Sequence, residues 1–137
     1  MDITARVRNA GLQHDVEVSA AGVSKRLTLP ARGSEGGSAV NGGELLMLAL
    51  ATCYCNDLYR EATRLGMVLR AVEVQASADF AGRGLAATSI RYKARIDTDE
   101  PHERVVQLLR ETDAVAEVHN TLRSANDVAL VEWSETV

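Results

Sequence analysis

The chain has 137 residues, is 46% hydrophobic and 25% charged, and carries a net charge of −4 at pH 7. That length can bury a core of its own, and the composition is globular rather than disordered. The acidic balance and the scatter of the Arg residues argue against a nucleic-acid partner, because phosphate binding needs a basic face.

With aromatics at 4%, the core has to be assembled mainly from Val, Leu and Ala. The opening MDITARVRN contains no apolar segment of secretory-signal type. No apolar run reaches the roughly 18 residues that a membrane helix needs. The run over 45–55 comes closest and stops at Asn56-Asp57. A cytoplasmic setting without membrane association is therefore expected. The two cysteines are expected to be reduced there and used for reactivity rather than stapling.

Strands come first. Ile3, Ala5 and Val7 alternate, then Val16 and Val18, then Val23, Leu27 and Leu29 around Lys25 and Arg26. The turns at Asn9-Ala10-Gly11 and Ala20-Ala21-Gly22 are short enough for hairpins. Pro30 ends the third strand, and PARGSEGGSAVNGG (30–43) reads as a Gly-rich loop. Asn41 and Glu44 have the spacing of a capping box before a helix from about Gly42 to Leu65. That helix opens with Leu45, Leu46, Met47, Leu48 and Leu50, apolar on nearly every side. One sheet covers only one face, so a second molecule or a second helix is implied.

Beyond Gly66, alternation resumes in Val68, Val72, Val74, Ala76 and Ala78. AGRG (81–84) then leads to a partner strand with Ile90, Tyr92, Ala94 and Ile96 on one face. Asp99-Glu100-Pro101 opens a helix carrying Val105, Val106, Leu108 and Leu109. A further helical segment places Val115, Val118 and Leu122 on one stripe with His119 at its inward edge. Val128–Trp133 reads as a closing strand. The order β-β-β-α-β-β-α-β is α+β with mostly antiparallel pairing. No internal repeat or linker divides 1–137, so a single domain is expected.

Both cysteines fall in LALATCYCNDLYREA (48–62). A cysteine in an apolar helix is most often a small core hydrophobe, and burial alone keeps its thiol inert. A reactive Cys53 needs a cation or a hydrogen-bond donor from elsewhere in the fold. Cys55 cannot be its disulfide partner within an intact helix, because the two Cβ vectors diverge. A metal site from Cys53, Cys55 and a His lacks the usual two-residue gap between ligands. Glu44 has its capping role, and Arg32 reads first as a solvated loop charge. The loop lacks the Gly-Lys-Ser/Thr ending of a phosphate-binding motif. His119 reads first as a satisfied core residue, and His14 and His102 as exposed ones.

NGGELLMLALATCYCNDLYREATRLGMVLRAVEVQ, together with AEVHNTLRSANDVALV, resembles the osmotically inducible protein C (OsmC) family, which includes the organic hydroperoxide resistance (Ohr) proteins. The resemblance covers nearly the whole chain. It implies an intertwined homodimer of α+β subunits, with two long central helices and two active sites at the interface. It also implies a thiolate on the central helix that attacks the O–O bond of an organic hydroperoxide. A second cysteine then resolves the sulfenic acid, and an external dithiol or lipoyl group restores the pair.

Cys53 matches the attacking position. The resolving position falls at or beside His119, where this chain has no cysteine. The family's catalytic Glu position holds Gly43, with Glu44 one place later. Arg32 is offset by about one residue from the Arg that holds the thiolate in some members. On this resemblance Arg32 would lower the Cys53 pKa, Glu44 would orient Arg32, and His119 could act on the thiol proton.

Three functions follow from this reading. The first is thiol-dependent reduction of organic hydroperoxides through one cysteine, with an external thiol and no cofactor. The second is an OsmC-like binding or redox-sensing protein without efficient turnover. The third is a Cys53–His119 acyl-transfer enzyme, for which no oxyanion-hole motif is visible.

Overall fold

The computed structural model describes residues 1–136 and divides the chain into two compact units. The first comprises residues 1–42 with the C-terminal stretch from Val128, and the second comprises Gly43–Asp127.

The first unit is a three-stranded antiparallel sheet in the order β1 (Ile3–Ala10), β2 (Gln13–Ala20), β3 (Val23–Leu27). Its second hairpin closes through Ala21 and Gly22, whose φ values of 49° and 77° are those of a type I′ turn. A Cβ is tolerated at Ala21 but is strained there, whereas Gly22 supplies the positive φ freely. The register sets Val7, Val16 and Leu27 opposite one another, with Ala5 opposite Val18.

The Gly-rich loop is folded upon itself. Ala31 bridges Ser38, the Arg32 amide donates to Gly37 O at 2.9 Å, and the Ala39 amide donates to Pro30 O at 2.8 Å. A short 3-10 turn, Gly33–Glu35, sits at its tip.

The second unit holds α1 (Gly42–Arg64, which begins one residue before it), β4 (Ala71–Asp79), β5 (Thr88–Asp97), α2 (His102–Val115) and α3 (Glu117–Arg123). Gly66, at φ 69°, stops α1. The Gly66 amide bonds Thr63 O at 3.1 Å and the Met67 amide bonds Ala62 O at 2.8 Å, the paired bonds of a Schellman cap. β4 and β5 form an antiparallel pair with Val72 opposite Ile96, Val74 opposite Ala94 and Ala76 opposite Tyr92. Val72, Val74, Tyr92, Ala94 and Ile96 of this pair, together with Tyr54, Leu58, Ala62, Met67, Leu108, Leu109 and Ala116, make the core of this unit.

Three expectations are corrected. Residues 128–133 form no strand: Val128 and Leu130 are fully exposed, and the segment has no ladder partner among the described residues. An apolar run alone does not make a strand without an edge to pair with. Val115 and Leu122 are exposed, so the buried positions around α3 are Ala116 and His119. The cause is a break at Ala116, whose extended ψ of 108° separates α2 from α3 and shifts the helical phase between them. Val68 precedes β4 and is exposed.

The helix α1 is buried mainly in its second half, through Leu50, Tyr54, Asp57, Leu58, Glu61 and Ala62. In its first half Leu48 is 58% exposed. No helix among the described residues is long and apolar enough to cross a membrane.

Candidate active site

Positions 53, 57, 60, 61 and 64 recur at the three- and four-residue intervals that share one face of α1. Cys53 is half-buried and unpaired with any other sulfur. Its Sγ lies 3.5 Å from Oδ2 of Asp57, one turn on, so the thiol donates to that carboxylate. Asp57 is buried, at 5% exposure. Its Oδ1 is bound by Arg60 at 3.1 Å, and the same guanidinium nitrogen lies 3.8 Å from Glu117 at the start of α3.

Beyond this group, Arg64 binds the buried Glu61 at 2.6 Å and reaches Glu111 on α2. The face of α1 that bears the thiol is therefore charged and laced to both later helices. None of Asp57, Arg60 and Glu117 was singled out by sequence reasoning. For Asp57 the signal was its i+4 spacing from Cys53, and for Arg60 its i+3 spacing from Asp57.

This setting disfavours a resting thiolate. Burial is the largest effect and pushes the Cys53 thiol up. The backbone N–H of Val118 opposes it, but the charges of Asp57 and Glu117 and the hydrogen bond to Asp57 add to the upward shift. Sγ and one oxygen each from Asp57 and Glu117 lie within 4.8 Å of one another, close enough to share a metal ion. Arg60 already bridges the two carboxylates as their cation.

The other sequence candidates each lie within one of the two units. Glu44 lies in the first turn of α1. Nine residues of helix rise separate it from Cys53, roughly 13 Å along the axis, so it does not reach this thiol. Arg32 is an exposed residue of the first unit, at the entry to the 3-10 turn. Cys55 is half-buried like Cys53 and is a free thiol.

His119 is 3% exposed and packs its ring against Tyr92 and Tyr54, at centroid distances of 4.3 and 5.6 Å. Tyr54 donates to Leu109 O at 2.6 Å, and Tyr92 donates to Asp113. Burial, and then the charge of Asp113, push Tyr54 up to about 12. Both ring nitrogens of His119 lack a hydrogen-bond partner among the described residues.

Burial followed by the charge of Arg123 lowers the His119 pKa, against the pull of Asp113 and Asp57. The folded chain thus resists protonating a ring that protonates freely once unfolded. This contribution is present above the unfolded value of about 6.5 and is lost as pH falls below it. The urea midpoint of the wild type should therefore fall between pH 7.5 and 5.5. His119→Phe, which keeps the ring and removes the orphaned nitrogens, should flatten that fall and leave stability at pH 7.5 equal or higher. An equally steep fall in the variant would show that another group carries it.

Taken together, the molecule is an α+β protein whose long helix presents a half-buried thiol to a buried carboxylate. The family model for OsmC-like proteins matches residues 35–131, and the chain belongs to that family. Its fold is shared with solved OsmC and Ohr structures. An organic hydroperoxide resistance protein of Legionella pneumophila superposes with a TM-score of 0.58 at 20% identity, over 90% of each chain. An OsmC-like protein of Mycoplasma pneumoniae gives 0.65 at 14% identity, over 90% of this chain and 89% of the other. The organic hydroperoxide resistance protein OhrB of Bacillus subtilis gives 0.51 at 17% identity, over 89% of both. No curated protein sequence matches the chain.

Proposed function

We propose that the chain reduces organic hydroperoxides by a thiol-dependent route, as part of peroxide defence in a reducing compartment. The observation that carries this reading is the half-buried Cys53 on the central helix, hydrogen-bonded to the buried Asp57. It stands in a fold shared with proteins named for hydroperoxide resistance. The sulfur attacks the terminal peroxide oxygen, the O–O bond breaks, and an alcohol leaves with Cys53 as a sulfenic acid. Cys55, the only other cysteine, sits two residues away on the same intact helix and cannot resolve it. Two equivalents of an external thiol, or one dithiol or lipoyl group, therefore return Cys53 to the thiol and release water and a disulfide.

The test is cumene hydroperoxide with excess dithiothreitol. Catalysed peroxide loss that stops when the thiol is alkylated supports the reading, and no loss above the dithiothreitol background refutes it. The raised thiol pKa and the missing resolving cysteine favour a second reading, a redox-sensing protein that is oxidised once and recycled slowly. It would give stoichiometric oxidation without turnover in the same assay.

The working unit in this proposal is a homodimer. Leu48 on α1 and Ile3, Val7, Val23 and Leu27 on the first sheet are all exposed large apolar side chains. Covering them calls for an obligate-type interface of roughly 2,000 Å² or more. Light scattering at micromolar concentration should give about twice the 14.8 kDa chain mass. A monomer would refute the dimer.

A further inference from the structure

Cleaving a hydroperoxide with a thiol moves a proton twice. The proton must leave sulfur before attack. A proton must then reach the departing alkoxide, which is a strong base and a poor leaving group without one. A thiolate held only by cations satisfies the first need and not the second. Around Cys53 the arrangement is different. The thiol donates to Asp57 Oδ2 at 3.5 Å, while Arg60 holds Oδ1 of the same carboxylate at 3.1 Å. Each oxygen of one buried group thus has a separate task. The side chain of Glu117, the other acid here, is 71% exposed and lies on α3.

We propose that Asp57 is the catalytic proton relay of the hydroperoxide reaction, a reading that rests on the function proposed above. Its carboxylate takes the proton from Cys53 Sγ as the sulfur pair attacks the terminal peroxide oxygen. The O–O bond breaks with its electron pair on the alkoxide oxygen. Asp57 then returns the proton to that oxygen, so that alcohol leaves and Asp57 is again a carboxylate. Sulfur is oxidised by two electrons, the peroxide is reduced by two, and no net proton is consumed. The groups acting on the thiol are Asp57 on α1, and Glu117 and the Val118 amide on α3, with Arg60 held on the two carboxylates. Arg60 acts through Asp57 and is a positioning residue.

The test compares two electrophiles on the full-length protein at pH 7. Iodoacetamide expels iodide, which needs no proton, whereas cumene hydroperoxide expels an alkoxide, which does. Asp57→Asn removes the charge that disfavours the thiolate, so alkylation of Cys53 should rise by roughly ten-fold, the effect of about one pKa unit. Single-turnover oxidation by cumene hydroperoxide, read by mass spectrometry, should instead fall by about 10²-fold. Asp57→Glu should recover part of the oxidation rate.

Rates that rise together would make Asp57 a purely electrostatic brake and overturn the relay while leaving the peroxidase reading intact. Unchanged rates would overturn the relay equally. A wild-type Cys53 inert to cumene hydroperoxide but open to iodoacetamide would overturn both. Should Asp57→Asn fail to fold, the wild type decides with hydroperoxides of graded alcohol acidity. A relay predicts a weak dependence of rate on that acidity, and a steep dependence overturns it.

Discussion

Cys53→Ser is expected to lower hydroperoxide turnover by about three orders of magnitude or more, with Cys55→Ser within about two-fold of wild type. The serine hydroxyl can still donate to Asp57, so the local hydrogen bond survives and the loss falls on nucleophilicity. Cys55 shares the helix but not the carboxylate: the thiol bonded to Asp57 is that of Cys53. After brief exposure to cumene hydroperoxide without reductant, mass spectrometry should find added oxygen on Cys53 alone. With no resolving partner, the product should be the sulfenic acid and then the sulfinic acid. A Cys53–Cys55 disulfide as the main product would mean that α1 unwinds locally. Equal losses in both variants would mean that the two thiols act together.

How much of this was legible in the residues depends on which interactions made each element. The hairpins follow from period-2 alternation and from a turn that takes two positive φ values, and both are local. The C-terminal end of α1 is local too, set by Gly66 and the two amide bonds of its cap. Residues 128–133 are a short apolar run, VALVEW, and form no strand, because a strand also needs a neighbour and the run does not say where that neighbour is. The face of α3 was misread for a related reason. Val115, Val118 and Leu122 align only if one helix runs through them, and the extended residue Ala116 interrupts it.

The site divides along the same line. Cys53 stood out as a thiol in an apolar helix, and the family resemblance made it the nucleophile. Asp57 and Arg60 could have been found from helical spacing, but Asp57 reads in sequence only as the polar stop to an apolar run. Glu117 was out of reach, because it lies 64 positions from Cys53 and only tertiary packing closes that gap. Burial and these two carboxylates push the Cys53 thiol up. The sequence supplied candidate bases and cations in Arg32 and His119, whereas burial and two carboxylates dominate the sulfur's surroundings. His119, a candidate for the thiol proton, spends its buried ring on Tyr54 and Tyr92.

Leu58→Ala should cost about 3–4 kcal/mol of stability. Leu58 is fully buried and lies one residue beyond Asp57, where α1 turns from the charged face to the core. Its cluster includes Tyr54, Ala62, Leu108 and Ala116, drawn from α1, α2 and the break before α3. Lost transfer energy and the cavity left behind both contribute, since Leu108 and Ala116 are backbone-anchored on other elements and cannot fully collapse into the space. Against a typical total of 5–15 kcal/mol this is a large fraction. The urea midpoint should fall with an unchanged slope, and the melting temperature should drop by roughly 10 °C or more. A cost below about 1 kcal/mol would show that the core repacks around the gap. Leu48→Ala, on the exposed half of the same helix, is the contrasting case. If a second subunit covers Leu48, its cost should shrink as the protein is diluted below the dissociation constant of the dimer, whereas the Leu58 cost acts within one subunit's core and should persist.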